Sequence, residues 1–209
     1  MVNPVVRLGH VLLANQLAYD TYQKLVGGVR YRSELVDQLA SMNSAVFLDL
    51  GCGTATIASR VNPEAKYIGI DNSHKYLLKA ERNYPQHSFY SLDLGNDDWN
   101  IKVENSNDVT ASGLGILHHL NDYQANNFLK NCREILSSSS SLFTVDPVIV
   151  EDTTLIARWF ANNDRGKFVR SPEKLTELFT NNGFEAKITV KKKKFRIPLD
   201  TVEILAKPT

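Results

Sequence analysis

Phe47-Leu48-Asp49-Leu50-Gly51-Cys52-Gly53-Thr54-Ala55 is the stretch on which the fold turns. The apolar run from Ala45 to Leu50 stops at glycines, which reads as a buried strand entering a tight turn. Thr54 to Val61 then reads as the following helix. Glycines at such a turn let the backbone approach a ligand closely, and the unpaired amides of a helix N-terminus face the same space. In open α/β sheets ligands collect at these carboxyl ends of the strands. Twenty residues beyond Gly51, Asp71 closes a second apolar run, Tyr67 to Ile70. A carboxylate there can accept hydrogen bonds from both hydroxyls of a ribose, so the two features together point to an adenosine-containing ligand.

Strand and helix alternate outward from this point. Ser73 is a good N-cap for a helix running to about Asn83, and Phe89–Leu92 and Val109–Gly113 read as the third and fourth strands. Asn121 or Asp122 caps a helix carrying Phe128, Leu129, Ile135 and Leu136, and Leu142–Val145 makes a fifth strand. The serine tract 137–141 reads as a helix-to-strand turn, because its hydroxyls compete with helix for backbone partners. Ser171-Pro172 opens a further helix and Asn181-Asn182-Gly183 closes it. Phe184–Val190 and Thr201–Ala206 then form two strands joined around Pro198, an antiparallel pair. Upstream, Val5, Leu8, Leu12, Leu13, Leu17 and Leu25 recur every three to four positions, as on one helical face, until Gly27-Gly28 interrupts them; a second helix follows over 31–42. Such alternation predicts a parallel doubly wound α/β sheet with an antiparallel addition at its end.

The glycine loop alone leaves a dinucleotide and an adenosyl cofactor open. A dinucleotide fingerprint asks for glycine three places after the second glycine, where this chain has Thr56, and seldom carries an acid in the preceding strand, where Asp49 stands. LDLGCGT resembles motif I of the class I S-adenosylmethionine-dependent methyltransferases, YIGIDNS their second motif, SLDL their third and DVTASGLGILHHL their fourth. The matches run in register from about residue 45 to 146. The resemblance implies a Rossmann-like, mostly parallel seven-stranded sheet with an antiparallel last strand, helices on both faces and an N-terminal helical cap. It implies one domain over 1–209, with the cap at 1–43, a cofactor-binding half at 44–146 and a substrate-side half at 147–209.

Carried over position by position, the resemblance makes Asp49 the organiser of the loop, meeting the cofactor's amino group directly or through water. Gly51, Cys52 and Gly53 would carry the methionine moiety on their backbone. Asp71 would hold the ribose, with Asn72 beside the adenine; Asp93, followed by Leu94, would meet the adenine amino group, and Ser112-Gly113 would flank the methionine part. Relatives commonly have a third glycine where this chain has Ala55, a change that is tolerable if that residue is already helical.

The cofactor's methyl group is already activated, so an acceptor needs placement in line with the S–CH₃ bond, exclusion of water and, for oxygen acceptors, loss of a proton. His118 and His119 follow the fourth strand and are candidates for that proton or for shaping the pocket. Trp159, Arg165 and Arg170 follow the fifth strand. The arginines suit a substrate carboxylate or phosphate, or an internal ion pair with Asp164, Glu151 or Glu173. Trp159 reads as pocket wall or core.

What is missing narrows the acceptor. The chain has no Asn-Pro-Pro-Tyr or Asp-Pro-Pro-Tyr string and no Pro-Cys nucleophile, and its net charge of +1 argues against nucleic acid and anionic membrane as partners. A small-molecule acceptor, methylated on oxygen or nitrogen, is what this leaves. No spacing suggests a metal site, and Cys52 and Cys132 read as two reduced thiols. Met1-Val2-Asn3-Pro4 and the polar-interrupted run behind it suit neither a signal peptide nor a membrane span, so the expectation is a cytoplasmic enzyme. Lys191–Lys194, the single basic block, reads as solvated strand-end charge. Three alternatives are a nicotinamide-dependent oxidoreductase, a non-catalytic module that binds S-adenosylmethionine or a partner, and an enzyme that keeps this cofactor or a relative of it but changes the chemistry, for instance to aminopropyl or carboxyl transfer.

Overall fold

A computed structural model describes residues 28–101, 103, 108–151, 153–154, 167–192 and 200–209. The expected helical face at residues 5–25, the connection around Pro198, and Trp159 and Arg165 lie outside the described residues.

Seven strands form one sheet in the order β3-β2-β1-β4-β5-β7-β6. They are β1 (Val46–Leu50), β2 (Lys66–Asp71), β3 (Ser88–Ser91), β4 (Val109–Leu114), β5 (Ser141–Val148), β6 (Phe184–Lys191) and β7 (Asp200–Pro208). The pairings from β3 through β5 are parallel, and β7 runs antiparallel to both β5 and β6. This is the doubly wound sheet with an antiparallel last strand that the sequence predicts. The strand order reverses between β1 and β4, which places a crevice at their carboxyl ends.

The helices are α1 (Gly28–Ala40), α2 (His74–Asn83), α3 (Asp122–Ile135) and α4 (Pro172–Asn181). Every side chain of β1 is buried, the mark of a strand covered on both faces. Val46, Leu48 and Leu50 enter the core built with Phe128 and Leu129 of α3 and Leu175 and Phe179 of α4. Phe47 enters the opposite core, with Tyr31, Leu35 and Leu39 of α1 and Ala80 of α2. Asp49 shares the α1 face by strand alternation, which matters for the site.

The terminators follow local chemistry. Asn121 caps α3 in a reciprocal box: its side chain accepts from the Gln124 amide at 2.9 Å, and Gln124 Oε1 accepts from the Asn121 amide at 3.1 Å. Ser171 caps α4 with proline in its first turn, and Gly183 closes it at φ +74°. Ser73 precedes α2 but makes no side-chain cap bond. The serine tract turns the chain into β5, with Ser137 Oγ 3.1 Å from Ser140 Oγ. Lys187 and Lys191 sit on β6, an edge strand, where charge discourages pairing with another sheet.

One local expectation fails. Residues 53–60 form successive turns and no regular helix, with amide-to-carbonyl bonds from Ala55 to Cys52, Ala58 to Ala55 and Arg60 to Ile57. Ala55, read as tolerable if helical, instead lies at φ +57°, in the left-handed region, and is fully buried. A side chain there costs about 1–2 kcal/mol relative to glycine.

Candidate active site

The glycine loop leaves β1 at its carboxyl end. The amides of Gly51 and Cys52 both donate to the Ile70 carbonyl of β2, at 2.8 and 2.9 Å. Gly51 is held at φ +77°, where a side chain is strained, and a Cβ on it would come within 2.4 Å of the Ile116 side-chain tip, so that position favours glycine. Gly53 lies at φ +56°, and among the described residues nothing comes within 4 Å of where its Cβ would stand. The loop is therefore packed beneath Gly51 and open above Gly53. Cys52 turns inward: a Cβ on Gly69 would meet its sulfur at 2.8 Å. Burial and then the charges of Asp49 and Asp71 push its thiol up, which keeps it neutral and unreactive.

Two carboxylates brace this loop from different sides. Asp71 Oδ2 accepts from the Gly53 amide at 2.9 Å and its Oδ1 from the Ser73 amide at 2.8 Å. Each oxygen keeps a second lone pair, so Asp71 can both hold the loop and accept from a ligand. Asp49, expected to organise the loop and to meet the cofactor's amino group directly or through water, is engaged beneath the loop. Tyr67 Oη donates to its Oδ2 at 2.5 Å and Ser112 Oγ to its Oδ1 at 3.2 Å. Burial pushes the Asp49 carboxyl above its usual range. The Tyr67 bond, the Arg32 charge and the Ser112 bond pull it back, and the Asp71 charge adds to the rise. The same bond turns the Ser112 hydroxyl away from the ligand space, leaving the Ser112-Gly113 backbone as its contribution there. Tyr67 is a residue sequence reading missed; Asp49↔Gly69 register in the parallel pair is what brings the Tyr67 ring near.

Asn72 is exposed beside Asp71. Asp93 follows β3 and caps its own turn, Oδ1 accepting from the amides of Gly95 at 2.9 Å and Asn96 at 3.1 Å. Among the described residues its Oδ2 makes no hydrogen bond, so the turn-capping and ligand-binding readings of Asp93 are compatible. Leu94 is buried against the α3 core.

The loop after β4 differs in character. Leu117–His119 is a short 3₁₀ turn. His118 is buried, with both its amide (3.0 Å) and Nδ1 (2.7 Å) on Oδ1 of buried Asp146 in β5. Its carbonyl accepts from the Phe168 amide at 3.0 Å. His119 is exposed, its ring centroid 4.0 Å from that of His118. The turn thus buries one histidine of the pair and exposes the other. The Asp146 partner was invisible in sequence because it lies 28 residues away.

Arg170, expected to grip an acceptor or pair with Asp164, Glu151 or Glu173, has another occupation. Nε and Nη2 bind Asp122 Oδ1 at 3.1 and 2.8 Å, Nη1 binds the carbonyls of Leu117 (2.8 Å) and Phe168 (3.3 Å), and Nη2 also binds that of Leu120 (2.8 Å). All five N–H donors are thus engaged within the chain. It clamps the post-β4 turn to the start of α3 and presents no donor to a substrate. Among the described residues no group of three metal-binding side chains occurs, and no helix is long and apolar enough to cross a membrane.

The 3-2-1-4-5-7-6 order with a glycine loop at the β1/β4 crevice defines the class I S-adenosylmethionine-dependent methyltransferase fold. Residues 47–139 match the family model described as "Methyltransferase domain", and the chain carries a domain of that kind. It is 30% identical over 122 residues to the "Uncharacterized 37.1 kDa protein in transposon TN4556" of Streptomyces fradiae, a match covering 56% of this chain and 34% of that one. Human N-acetylserotonin methyltransferase, solved with S-adenosylmethionine, superposes with a TM-score of 0.60 at 18% identity, covering 80% of this chain and 48% of the human one. The [4+2]-cyclase SpnF gives 0.66 at 14% identity, over 84% of this chain and 80% of the cyclase. At such identities the structural likeness is one of fold. The chain spans about a third of the transposon protein and about half of the human enzyme.

Proposed function

We propose that this protein is an enzyme that binds S-adenosylmethionine in the β1/β4 crevice and transfers its methyl group to the oxygen or nitrogen of a small molecule. The observation that carries the reading is the glycine loop, tied to Asp71 through the Gly53 amide while the space above Gly53 stays open. A ribose would lie on Asp71, its adenine beside Asn72 and Leu94 with its amino group towards Asp93 Oδ2, and the methionine portion along Gly51–Gly53 and the Ser112-Gly113 backbone. The cofactor supplies an activated methyl group; the protein's part is to place the acceptor in line with it and exclude water. His119, exposed on a turn held by Asp146 and Arg170, would be the histidine that meets an acceptor, a reading its exposure supports, while His118 anchors the turn. Nothing about the composition favours a nucleic-acid acceptor, and a cytoplasmic location fits the same reading.

A second reading keeps the fold and changes the chemistry, as the likeness to a cyclase on this fold illustrates. Titration calorimetry with S-adenosylmethionine, S-adenosylhomocysteine and NADH tests the cofactor: binding of NADH and of neither sulfur compound would sink the proposal. A metabolite screen following S-adenosylhomocysteine release tests the reaction. Turnover of an acceptor without that release would favour the second reading. Once an acceptor is known, His119→Ala should lower kcat and alter its pH profile, and an unchanged profile removes His119 from proton transfer.

A further inference from the structure

The antiparallel end of the sheet holds a cavity of about 310 Å³ between α1 and the face formed by β5, β7 and β6. Strand alternation supplies its lining. Phe143 of β5 and Leu205 of β7 lie in register and make an apolar floor, Lys187, Thr189 and Lys191 follow one another along the same face of β6, and Gln38 reaches in from α1. The cavity is separate from the β1/β4 crevice. Phe143 is also in register with Ser112, so the floor lies within the sheet, short of its carboxyl end. Nearer that end a buried bridge ties α1 to β7: Thr201 Oγ1 donates to Tyr31 Oη at 3.1 Å, and Tyr31 Oη donates to Glu203 Oε1 at 2.9 Å. Thr201 pairs with Pro147, which sets the bridge between the cavity and the strand ends.

The charges on the lining do not balance. Glu203 is buried and answered, since Lys191 Nζ stands 3.4 Å from its Oε2. Lys187 has no ion pair among the described residues, and there the Thr189 hydroxyl and the Gln38 side-chain amide make no hydrogen bond. Two lysines against one glutamate leave a surplus of one positive charge over an apolar floor. Charge on an edge strand guards against pairing with another sheet, but that role needs no apolar floor beneath the charge. We propose that this cavity is a second small-molecule site, which takes a small carboxylate with an aromatic or aliphatic body. The body lies on Phe143 and Leu205, and the carboxylate meets Lys187 with Thr189 or Gln38 as a neutral donor. The volume falls at the lower end of the range for ligand pockets, about 300–1,000 Å³. A phosphate suits the lining less well, because Glu203 opposes a second negative charge and the lining offers no arginine fork. The site stands whether or not the crevice takes S-adenosylmethionine.

The probe is 4-fluorobenzoate, followed by its fluorine NMR signal on the whole chain, with 4-fluorobenzamide as a neutral control of the same shape. The wild type should bind both, the benzoate about three- to fivefold more tightly, the scale of an exposed charge pair. Lys187→Gln should bring the two affinities to within about 1.5-fold of each other, because only the charge term is removed. Thr189→Trp suits a strand and fills the cavity, and should abolish binding of both. Lys187 is exposed and Thr189 half-buried, so the fold should survive both changes, which the thermal midpoint verifies. Saturating S-adenosylhomocysteine should leave the benzoate bound, and inorganic phosphate at equal concentration should not displace it. No binding to the wild type, a preference for benzoate that survives Lys187→Gln, or binding that survives Thr189→Trp overturns the proposal. Displacement by S-adenosylhomocysteine would put the probe in the crevice, and displacement by phosphate would reveal a bare anion site; either result overturns it as well.

Discussion

The loop after β1 and the loop after β4 leave adjacent strands of one sheet, and they differ in what holds them beyond their first glycine. The first is shaped from within, by glycines in left-handed conformations, amides donating to Ile70, and a left-handed alanine. The second opens in the same way, with Gly115 at φ +74° and its amide on the Val145 carbonyl at 2.7 Å, but is then held from outside, by Asp146 gripping His118 and Arg170 gripping the carbonyls of Leu117 and Leu120. A backbone that must lie against a ligand cannot carry bulky side chains, so its conformation is written locally. A turn presenting a side chain can be held by charged groups from elsewhere, and so its determinants are scattered. The arginines differ too: Arg170 is fully engaged by the protein, whereas among the described residues Arg32 makes one long hydrogen bond, to Thr56.

The largest effect expected from breaking this contrast is on the second loop. Arg170→Ala leaves two buried carbonyls without a charged donor, while Asp122 is well exposed and its pairing largely screened. Urea unfolding should show a loss of about 3 kcal/mol, with S-adenosylhomocysteine affinity changed by less than about threefold. A matching collapse of cofactor affinity would show that the two loops are one unit.

Next comes the strain at Ala55, measured against a helical alanine. Ala125 in α3 is, like Ala55, fully buried. Ala125→Gly should cost about 1.5–2 kcal/mol, from lost helix propensity and a lost methyl contact. At Ala55 the same change relieves a left-handed φ, and the terms should cancel to within about 0.5 kcal/mol. Equal costs at the two sites would mean that the left-handed conformation stores no strain.

The smallest effect is a pH dependence beneath the first loop. Burial raises the Asp49 carboxyl above its unfolded value, so the folded state holds that proton more tightly than the unfolded chain. Stability tied to Asp49 is therefore fully present below the ordinary value of 3.8 and is lost as pH rises through the raised folded value. Asp49→Asn cannot titrate, so urea unfolding as a function of pH should show a shallower decline above that point. Parallel curves for the two proteins would place the titration elsewhere.

Much of the frame was legible in sequence because it is local. The apolar runs, the Asn121 and Ser171 caps and the Gly183 stop each specify their element within a few residues, and the structure keeps them. The turns at 53–60 were misread for an instructive reason: Thr54 to Val61 has ordinary helical composition, but Ala55 is turned left-handed by the loop it inherits from Gly51 and Gly53. Arg170 was misassigned because charge alone does not say which partners will surround it. Tyr67 and Asp146 were missed because each meets its partner only across strands.

The sequence by itself determined the sheet, the glycine loop and the acid that ends β2, since strand periodicity, glycine's access to positive φ and carboxylate spacing are properties of short segments. Only the tertiary structure decided which polar groups face the crevice. Parallel register turns Asp49 and Ser112 towards each other and Tyr67, packing surrounds Arg170 with carbonyls, and α1 sets Arg32 beside Thr56 in the turns after the loop. Those outcomes depend on contacts between residues far apart in the chain, and a hydrogen bond made inside the protein removes that donor from the ligand.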